Sequence, residues 1–394
     1  MAKPAADPSV WDQVAGHAAA VAALREAVSS DRVAHAWLFL GPPGVGKLHV
    51  AKVFAAALNC PAGGDGTCDV CRRVLRGVHP DVHLIVPEGD NLLVDDVRAV
   101  REEASRSHHE APVAVFILDE ADRMTDAAAN ALLKVLEEPQ PGVVFVLVAR
   151  SVEALLGTIP SRSRTLAFAS LPPADIAAAL ARQLGIDADQ AGWAAAASHG
   201  RIARARALLS DEATRLRRAG TLELAEQLMG THASDALTAA TAVLAQADEA
   251  MAAAKVRQER ELAELDEVYG RARGSATLRK RLETRHRREL RRTRFDAIRE
   301  AVADLLGVYR DLTATHAGAP EASLVHPDRA AATIRLTATI GPAAAIRAAA
   351  ALEEADRRLA IGAAPQLTLE AAFLSVQEAL RGNPPPMQRM AIRR

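Results

Sequence analysis

The chain has 394 residues, 49% of them hydrophobic but only 3% aromatic, and a formal net charge of −1. This length predicts two or three domains with ample cores, and the balanced charge excludes a chain-wide field that would attract nucleic acid or an acidic partner. The N-terminal residues lack an apolar signal segment, and no apolar run approaches the ~18 residues of a membrane span. We therefore expect a cytoplasmic protein that makes no membrane contact.

The first 169 residues alternate between strand and helix patterns. Residues 34–40 predict a buried strand that leads into a glycine-rich loop, and residues 113–118 and 143–148 are continuously apolar, as in strands buried on both faces of a parallel sheet. Helical patterns occupy residues 48–58 and 126–138, and the second ends at Pro139. This alternation predicts a three-layer α/β domain over residues 1–169.

Strand patterns stop after residue 172. Three short helical patterns separated by glycines predict a small lid domain over residues 170–212, and the remaining residues, 213–394, predict a second all-α domain. Within it, two long helical stretches around a break at residues 270–275 predict an antiparallel arm at about 250–295. At about 1.5 Å per residue, such helices are long enough to project from the domain.

A glycine-rich segment between the first strand and the following helix has the phosphate-loop pattern. It consists of Gly41, Pro42, Pro43, Gly44, Val45, Gly46, Lys47 and Leu48. In this pattern the glycines let backbone N–H groups turn towards phosphates, and the lysine reaches the β- and γ-phosphates. The segment therefore predicts a nucleotide site.

The last position of this pattern, Leu48, departs from it. A serine or threonine hydroxyl there normally meets the magnesium ion, which prefers hard oxygen ligands. Leucine has no such oxygen, and the next residue, His49, is a poor substitute. The sequence thus predicts a nucleotide site that is damaged where hydrolysis is organised.

A second half of the nucleotide site follows the strand at residues 113–118. Asp119 would lie near the magnesium ion and Glu120 would polarise water. Because the magnesium hydroxyl is missing, the two motifs together favour the fold more strongly than they favour catalysis.

Several segments resemble the clamp-loader branch of the AAA+ ATPases. Residues 129–139 resemble its helix after the aspartate–glutamate strand end, and residues 11–17 resemble its N-terminal box beside the adenine base. Ser161, Arg162 and Ser163 resemble its serine-arginine-cysteine motif, with Ser163 in place of the cysteine. The resemblance covers about residues 10–210 closely and the C-terminal helices in outline.

Within this branch the pattern is most similar to the delta-prime family of bacterial DNA polymerase III, of the alanine-rich actinobacterial type. Three departures from the active gamma/tau pattern favour it. One is Leu48. The second is residues 149–151 (Ala, Arg, Ser) where a threonine-rich γ-phosphate sensor is expected, and the third is the absence of an arginine at Ala203, although Arg204 is adjacent. The resemblance implies a subunit that does not hydrolyse ATP.

The resemblance also implies architecture and role. The expected fold is a RecA-like AAA+ domain, a lid, and a helical collar in a pentamer with gamma/tau and delta subunits. The expected function is loading of the sliding clamp on primer–template DNA within the DNA polymerase III holoenzyme, a nucleotidyltransferase complex. Arg162 would act in trans as an arginine finger on a neighbouring ATP. The alternative for Arg162 is a local ion pair with a nearby acidic helix.

The residues are also compatible with two other functions. The chain could be an active gamma/tau-like motor, although Leu48 and Arg150 argue against it. It could also be a free-standing nucleic-acid-binding protein that uses the basic arm. The segment 271–294 carries eleven Lys/Arg and two Glu, and this fits either a solvated helix face or a contact with phosphate or an acidic partner.

Three cysteines lie in an insertion at residues 60–79: Cys60, Cys68 and Cys71. They follow the same family's zinc module, but the place of its fourth cysteine is taken by Val74. Asp69, His79 or His83 could substitute, although none has the expected spacing. The alternatives are a zinc site and three reduced structural thiols.

Overall fold

The structure is a computed structural model that describes residues 9–87, 91–105, 110–153, 155–230, 232–269 and 275–382. The chain divides into two compact units, unit 1 (Met1–Arg206) and unit 2 (Ala207–Arg394). The break expected in the arm falls at residues 270–274, outside the described residues. In the part of the chain that is described, no helix is both long and apolar enough to cross a bilayer.

Unit 1 contains a five-stranded sheet whose strand pairs are all parallel. Its strands are β1 (Ala36–Leu40), β2 (Val82–Ile85), β3 (Ala114–Leu118), β4 (Val143–Ala149) and β5 (Arg164–Ala167). They are arranged in the order β2-β3-β4-β1-β5. The α/β prediction is therefore confirmed, including the three buried strands that the sequence indicates.

The sheet is buried on both faces, which explains why its central strands are continuously apolar. Trp37 and Phe39 of β1 face one core, together with Ile117 of β3. The alternating neighbours Leu38 and Phe116 face the other core. Because side chains of a strand alternate between faces, two apolar cores require an unbroken apolar run.

Helices cover these faces. They are α1 (Ala18–Ser29), α2 (Lys47–Asn59), α3 (Asp69–Arg76), α4 (Val94–Ala104) and α5 (Asp126–Glu137). The α5 helix begins where the Thr125 side chain accepts a hydrogen bond from the Ala128 N–H, and it ends ahead of Pro139. The α2 helix begins directly after Gly46, so the phosphate loop delivers the chain into a helix N-terminus.

Three short helices follow the sheet, as predicted: α6 (Pro173–Leu184), α7 (Ala188–Ala196) and α8 (Ile202–Ser210). The boundary between the two units falls after Arg206, within α8. The finer division into an AAA+ domain, a lid and a collar remains a prediction.

Unit 2 is helical. Its helices are α9 (Glu212–Gln227), α10 (Ala233–Tyr269), α11 (Ser275–His316), α12 (Ala330–Thr337), α13 (Pro342–Ala360) and α14 (Pro365–Leu380). Short 3₁₀ turns at Glu321–Ser323 and Pro327–Arg329 occupy the predicted loop near 315–327. The core is lined by α9, α10, α11, α13 and α14.

The α10 and α11 helices run antiparallel along the predicted arm. The Gln258 side chain donates to Glu289 at 3.0 Å, and Arg294 pairs with Asp248. As residue numbers rise along α10, those of the α11 partners fall, which defines an antiparallel pair. The core cluster of unit 2 contains Ala247 and Ile298 but no described residue between them, so the arm lies outside this core.

Candidate functional site

The candidate nucleotide site lies at the carboxyl edge of the parallel sheet. The register pairs Leu40 of β1 with Ala149 of β4, so both strands end at the same edge, and β3 ends beside β4. The Gly41 N–H donates to the Ala149 carbonyl at 3.2 Å, which ties the start of the phosphate loop to the sensor strand. Ligands of open α/β sheets bind at this edge.

The phosphate loop has the backbone conformation that its glycines permit. Gly44 and Gly46 have φ angles of 81° and 101°, a region that other residues adopt only with strain. At Gly41 a Cβ atom would lie 1.9 Å from the Phe168 carbonyl oxygen. Glycine at these positions is therefore required by the turn and by the close approach of the chain after β5.

Lys47, the lysine of the phosphate loop, is buried and bonded to its own loop. Its Nζ donates to the Pro42 carbonyl at 2.7 Å and to the Gly41 carbonyl. Without a nucleotide, these carbonyls satisfy an ammonium group that would otherwise be costly to bury. The lysine is therefore held at the loop, in place to contact phosphate oxygens.

Leu48 is part of the apolar packing behind the loop. Its partly buried side chain packs against the core cluster that contains Val50 and Phe54 of α2. This position supplies a hydrocarbon group where the phosphate-loop pattern requires an oxygen ligand. Leucine at this position is thus explained by its packing against the core of unit 1.

The acidic end of β3 is only partly arranged as a catalytic pair. Asp119 is 5% exposed, and its Oδ1 accepts the Glu120 N–H at 3.1 Å. Glu120 has a φ angle of 54°, and its Oε2 accepts a hydrogen bond from Arg123 at 2.9 Å. The carboxylate expected to polarise water is therefore engaged in an ion pair within its own turn.

Arg150, which stands where the sequence pattern expects a threonine-rich γ-phosphate sensor, lies at the end of β4. The Arg150 Nε lies 3.4 Å from the buried Asp122 carboxylate, and the Arg150 N–H donates to the same side chain at 3.3 Å. An arginine in this position is held by the acidic turn after β3.

Arg201 lies against the phosphate loop, a placement that the sequence analysis missed. A Cβ atom built on Gly44 would lie 2.8 Å from the Arg201 Cγ, so the aliphatic stem of the arginine passes directly over the loop. Arg204, the neighbour considered at the second sensor, is instead buried at 4% exposure. The glycine at residue 200 was the available signal, since its φ angle of 78° turns the chain ahead of Arg201.

The N-terminal box also lies against the loop. His17 donates from Nε2 to the Val45 carbonyl at 2.9 Å, and its ring packs edge-on against Phe168 at 4.8 Å. Burial lowers the pKa of His17, and nearby Lys47 acts in the same direction. The His17 imidazole therefore connects the N-terminal box to the phosphate loop.

Arg162 lies at the end of a 3₁₀ turn, Pro160–Arg162, ahead of β5. Its guanidinium lies 2.7 Å from Glu137 Oε1 of α5 and donates to the Thr158 carbonyl at 3.2 Å. The local ion pair considered as the alternative role is therefore present in this chain. About a third of the arginine side chain, 36%, remains exposed.

The three cysteines lie together with a carboxylate that the sequence analysis did not consider, Asp65. One donor atom from each of these four residues lies within 4.8 Å of the others. Burial would raise the pKa of Cys60, but backbone N–H groups, first that of Asp65, lower it. Burial raises the pKa values of Cys68 and Cys71.

The sequence offers three residues as alternatives for the fourth zinc ligand, and each of them makes other contacts in the structure. Asp69 pairs with Arg73 at 2.8 Å, and His79 accepts the Asp81 N–H at 3.2 Å while facing Glu110. The His83 ring stacks on a phenylalanine of β3 at 4.6 Å. None of the three belongs to the described donor group, because their positions in sequence do not bring them to the loop between Cys60 and Cys68.

The strand order, the phosphate loop after β1 and the acidic end of β3 define an AAA+-type nucleotide-binding domain. Residues 16–172 match the family described as DNA polymerase III, delta subunit. The delta-prime subunit of Bacillus subtilis is 40% identical over 153 residues, 38% of this chain. Over this region the chain is similar to the delta-prime subunits of the DNA polymerase III clamp loader, in agreement with the resemblance seen in the sequence.

Other proteins of the same machinery are also similar. The gamma/tau subunit of Mycobacterium bovis is 34% identical over 192 residues, 47% of this chain. The matched segment spans less than half the length of these curated relatives, 46% of the Bacillus protein and 33% of the Mycobacterium protein. A solved gamma subunit-related protein of Thermotoga maritima aligns with 91% of this chain and 99% of its own at 18% identity, with a TM-score of only 0.38.

Proposed function

We propose that this chain is the static, non-hydrolysing subunit of a DNA polymerase III clamp loader. It would join gamma/tau and delta subunits in a pentamer that places the sliding clamp on primer–template DNA. The observation that carries this proposal is the phosphate loop itself, which keeps its glycines and Lys47 but has the partly buried Leu48 packed against the core at the magnesium position. A delta-prime-like domain with this defect suits a structural role.

Nucleotide binding and hydrolysis make different demands on this site. Binding needs the loop N–H groups and Lys47, which have the required conformation. Hydrolysis also needs a positioned magnesium ion and a free carboxylate, whereas Leu48 offers no oxygen and Glu120 is paired with Arg123. ATP is therefore a ligand that the site could hold without turning it over.

The isolated chain should accordingly hydrolyse ATP only at background rate. The assay is magnesium-dependent phosphate release by purified protein, with Lys47→Ala as the control for contaminating ATPases. Leu48→Thr should not restore turnover, because the contacts of Glu120 and Arg150 would persist. Turnover that is abolished by Lys47→Ala would instead support an active gamma/tau-like motor, the rival that the similarity to gamma/tau keeps open.

Assembly is tested by reconstitution. The chain is mixed with gamma/tau and delta subunits of the same organism, and complex formation and DNA- and clamp-stimulated ATPase are measured. The proposal expects a stable complex whose ATPase and clamp loading fall when this chain is left out. A complete and fully active loader formed without it would contradict the proposal.

Within that assembly Arg162 would supply an arginine finger to a neighbour's ATP. A planar, permanently charged guanidinium suits the spread charge of a transferring phosphoryl group. The residue lies at a turn, is partly exposed, and is held by a surface carboxylate, Glu137, that is itself 47% exposed. Exposed pairs of this kind contribute only about 0–1 kcal/mol, so a phosphate could displace Glu137.

The rival nucleic-acid function would rest on the basic arm. Two of its described arginines are paired within the arm: Arg279 with Asp266 and Glu283, and Arg294 with Asp248. Internal pairing favours the solvated-face interpretation. A steep salt dependence of DNA binding by the monomer would support the rival function, since phosphate contacts release counterions.

The cysteine cluster supports a zinc site of the family's type at Cys60, Cys68 and Cys71. Three thiols in one loop and one helix turn offer soft ligands that zinc prefers. Three reduced structural thiols are the alternative, and metal content of the purified chain distinguishes the two.

A further inference from the structure

The loop between Cys60 and Cys68 places a carboxylate beside the three thiols. Cys60 Sγ and Cys68 Sγ are 3.7 Å apart, and one donor atom each of Cys60, Asp65, Cys68 and Cys71 lies within 4.8 Å of the others. In a tetrahedral zinc site with Zn–S bonds of about 2.3 Å, two sulfurs are separated by about 3.8 Å. The cluster therefore already has the dimensions of a zinc coordination shell.

Backbone hydrogen bonds fix the position of Asp65. Its Oδ1 accepts the N–H groups of Thr67 and Cys68, both at 2.9 Å, which forms a tight turn into α3. The Cys68 thiol donates to Cys60 Sγ at 3.7 Å, and Cys68 Sγ accepts the Cys71 N–H at 3.4 Å. The turn that positions Asp65 is therefore continuous with the contacts that position the sulfurs.

We propose that Asp65 is the fourth ligand of a Cys₃Asp zinc site and replaces the cysteine missing at Val74. The side chain of Val74 is fully buried in an apolar core, so no donor is available from that helix position. Zinc accepts carboxylate oxygen at about 2.0–2.2 Å, and structural sites need four protein ligands to exclude water. This inference does not depend on the clamp-loading proposal.

Zinc binding releases the thiol protons and leaves three thiolates and one carboxylate around the ion. A hard oxygen in place of a fourth soft sulfur should make the site weaker than a four-cysteine site. The ion should therefore be removed more readily by a chelator.

The test uses the full-length chain with reduced thiols and compares four variants. Asp65→Asn keeps a side-chain carbonyl that can accept the two turn N–H groups but removes the anionic ligand. Asp65→Ala removes both, and Asp65→Cys supplies the fourth thiolate. Asp69→Asn is the matched control, because Asp69 lies in the same module but pairs with Arg73 outside the cluster.

Zinc stoichiometry and affinity are measured by competition with a chelator, and cobalt(II) serves as the spectroscopic probe. We expect one zinc per wild-type chain. Asp65→Asn and Asp65→Ala should weaken binding by at least about tenfold, the loss expected from removing even an outer partner of a ligand. Asp65→Cys should tighten binding and raise the thiolate-to-cobalt absorbance by about a third, as three thiolates become four. Asp69→Asn should match wild type.

Three results would overturn the proposal. The first is wild-type zinc affinity in folded Asp65→Asn, and the second is unchanged thiolate-to-cobalt absorbance in Asp65→Cys. The third is a wild-type chain that holds no stoichiometric zinc while its three thiols are reduced. Circular dichroism confirms folding of each variant, and Asp65→Asn carries the test if the alanine variant does not fold.

Discussion

The two units use charged residues differently. In unit 1 they gather at the carboxyl edge of the sheet and on its surface turns, around the phosphate loop and at Arg162. In unit 2 several are enclosed between helices. Arg218 of α9 makes two hydrogen bonds of 2.8 Å to Asp328, and Arg299 of α11 makes two of 2.7 Å to an aspartate of α13.

The pair of Arg218 and Asp328 belongs to a wider hydrogen-bonded network. Arg218 also donates to His326 Nδ1 at 2.9 Å, and His326 Nε2 donates to the Asp304 carbonyl at 2.9 Å. Because arginine only donates and a carbonyl only accepts, this pattern requires a neutral imidazole with its proton on Nε2. We conclude that unit 2 uses these charges to specify its fold, whereas the charges of unit 1 compared here lie at the phosphate loop and at the turn of Arg162.

The largest expected effect follows from breaking the unit 2 network. Arg218→Ala should destabilise unit 2 by about 3–5 kcal/mol, because it leaves a partly buried carboxylate and a histidine without their donor. Hydrogen-exchange mass spectrometry measures this as lost protection in the helices of unit 2. Arg357→Ala is the control, since its pair with Glu354 is exposed to solvent and should contribute little to stability. Equal effects of the two substitutions would contradict the comparison.

A smaller effect should appear on acidification. Burial alone would raise the pKa of Asp328, but hydrogen bonding and charge from Arg218 lower it below its usual range. A carboxyl with a depressed folded-state pKa stabilises the fold above its unfolded pKa of about 3.9, and the contribution is lost as pH falls through the folded value. Unfolding free energies of wild type and Asp328→Asn at pH 7 and below about pH 4 measure it. The difference between the two proteins should shrink at acid pH, and a constant difference would exclude this role of the pair.

The smallest effect should come from shortening the arm. The helices of residues 250–294 pair with each other and lie outside the described core of unit 2. Replacing about residues 250–295 by a short turn should leave the fold of unit 1 and assembly with partner subunits unchanged. Size-exclusion chromatography of the reconstituted complex is the measurement. Failure to assemble would place the arm among the collar contacts.

The sequence predicts unit 1 well because its signals are local. Gly41 to Leu48 fix a turn between a strand and a helix, and continuous apolar runs report burial on both faces of the sheet. The contacts of unit 2 are not predictable in this way. Arg218 and Asp328 are 110 residues apart, and nothing in either neighbourhood indicates the partner.

Two site residues were missed from the sequence for different physical reasons. Arg201 reaches the phosphate loop from a different segment, across more than a hundred residues, and only the fold brings its stem to Gly44. Asp65 is close to the cysteines in sequence, but its role depends on a tight turn with glycines in the left-handed region, such as Gly64 and Gly66. Ligand spacing predicts ligands in regular motifs, but it does not predict a ligand that an irregular turn brings to the site.

The central claim is that this chain assists hydrolysis on a neighbouring subunit without hydrolysing ATP itself. Its most direct test is the DNA- and clamp-stimulated ATPase of a reconstituted loader that carries Arg162→Ala, Arg162→Lys or Glu137→Gln. Arginine fingers elsewhere contribute about 10³–10⁵ in rate, and the effect here should be smaller because other subunits supply their own. The account predicts intact assembly in all three, a lower rate for both arginine variants, and an undiminished rate for Glu137→Gln, which removes only the local pair. A wild-type rate in the assembled Arg162→Ala complex, or an equal loss in Glu137→Gln, would contradict it.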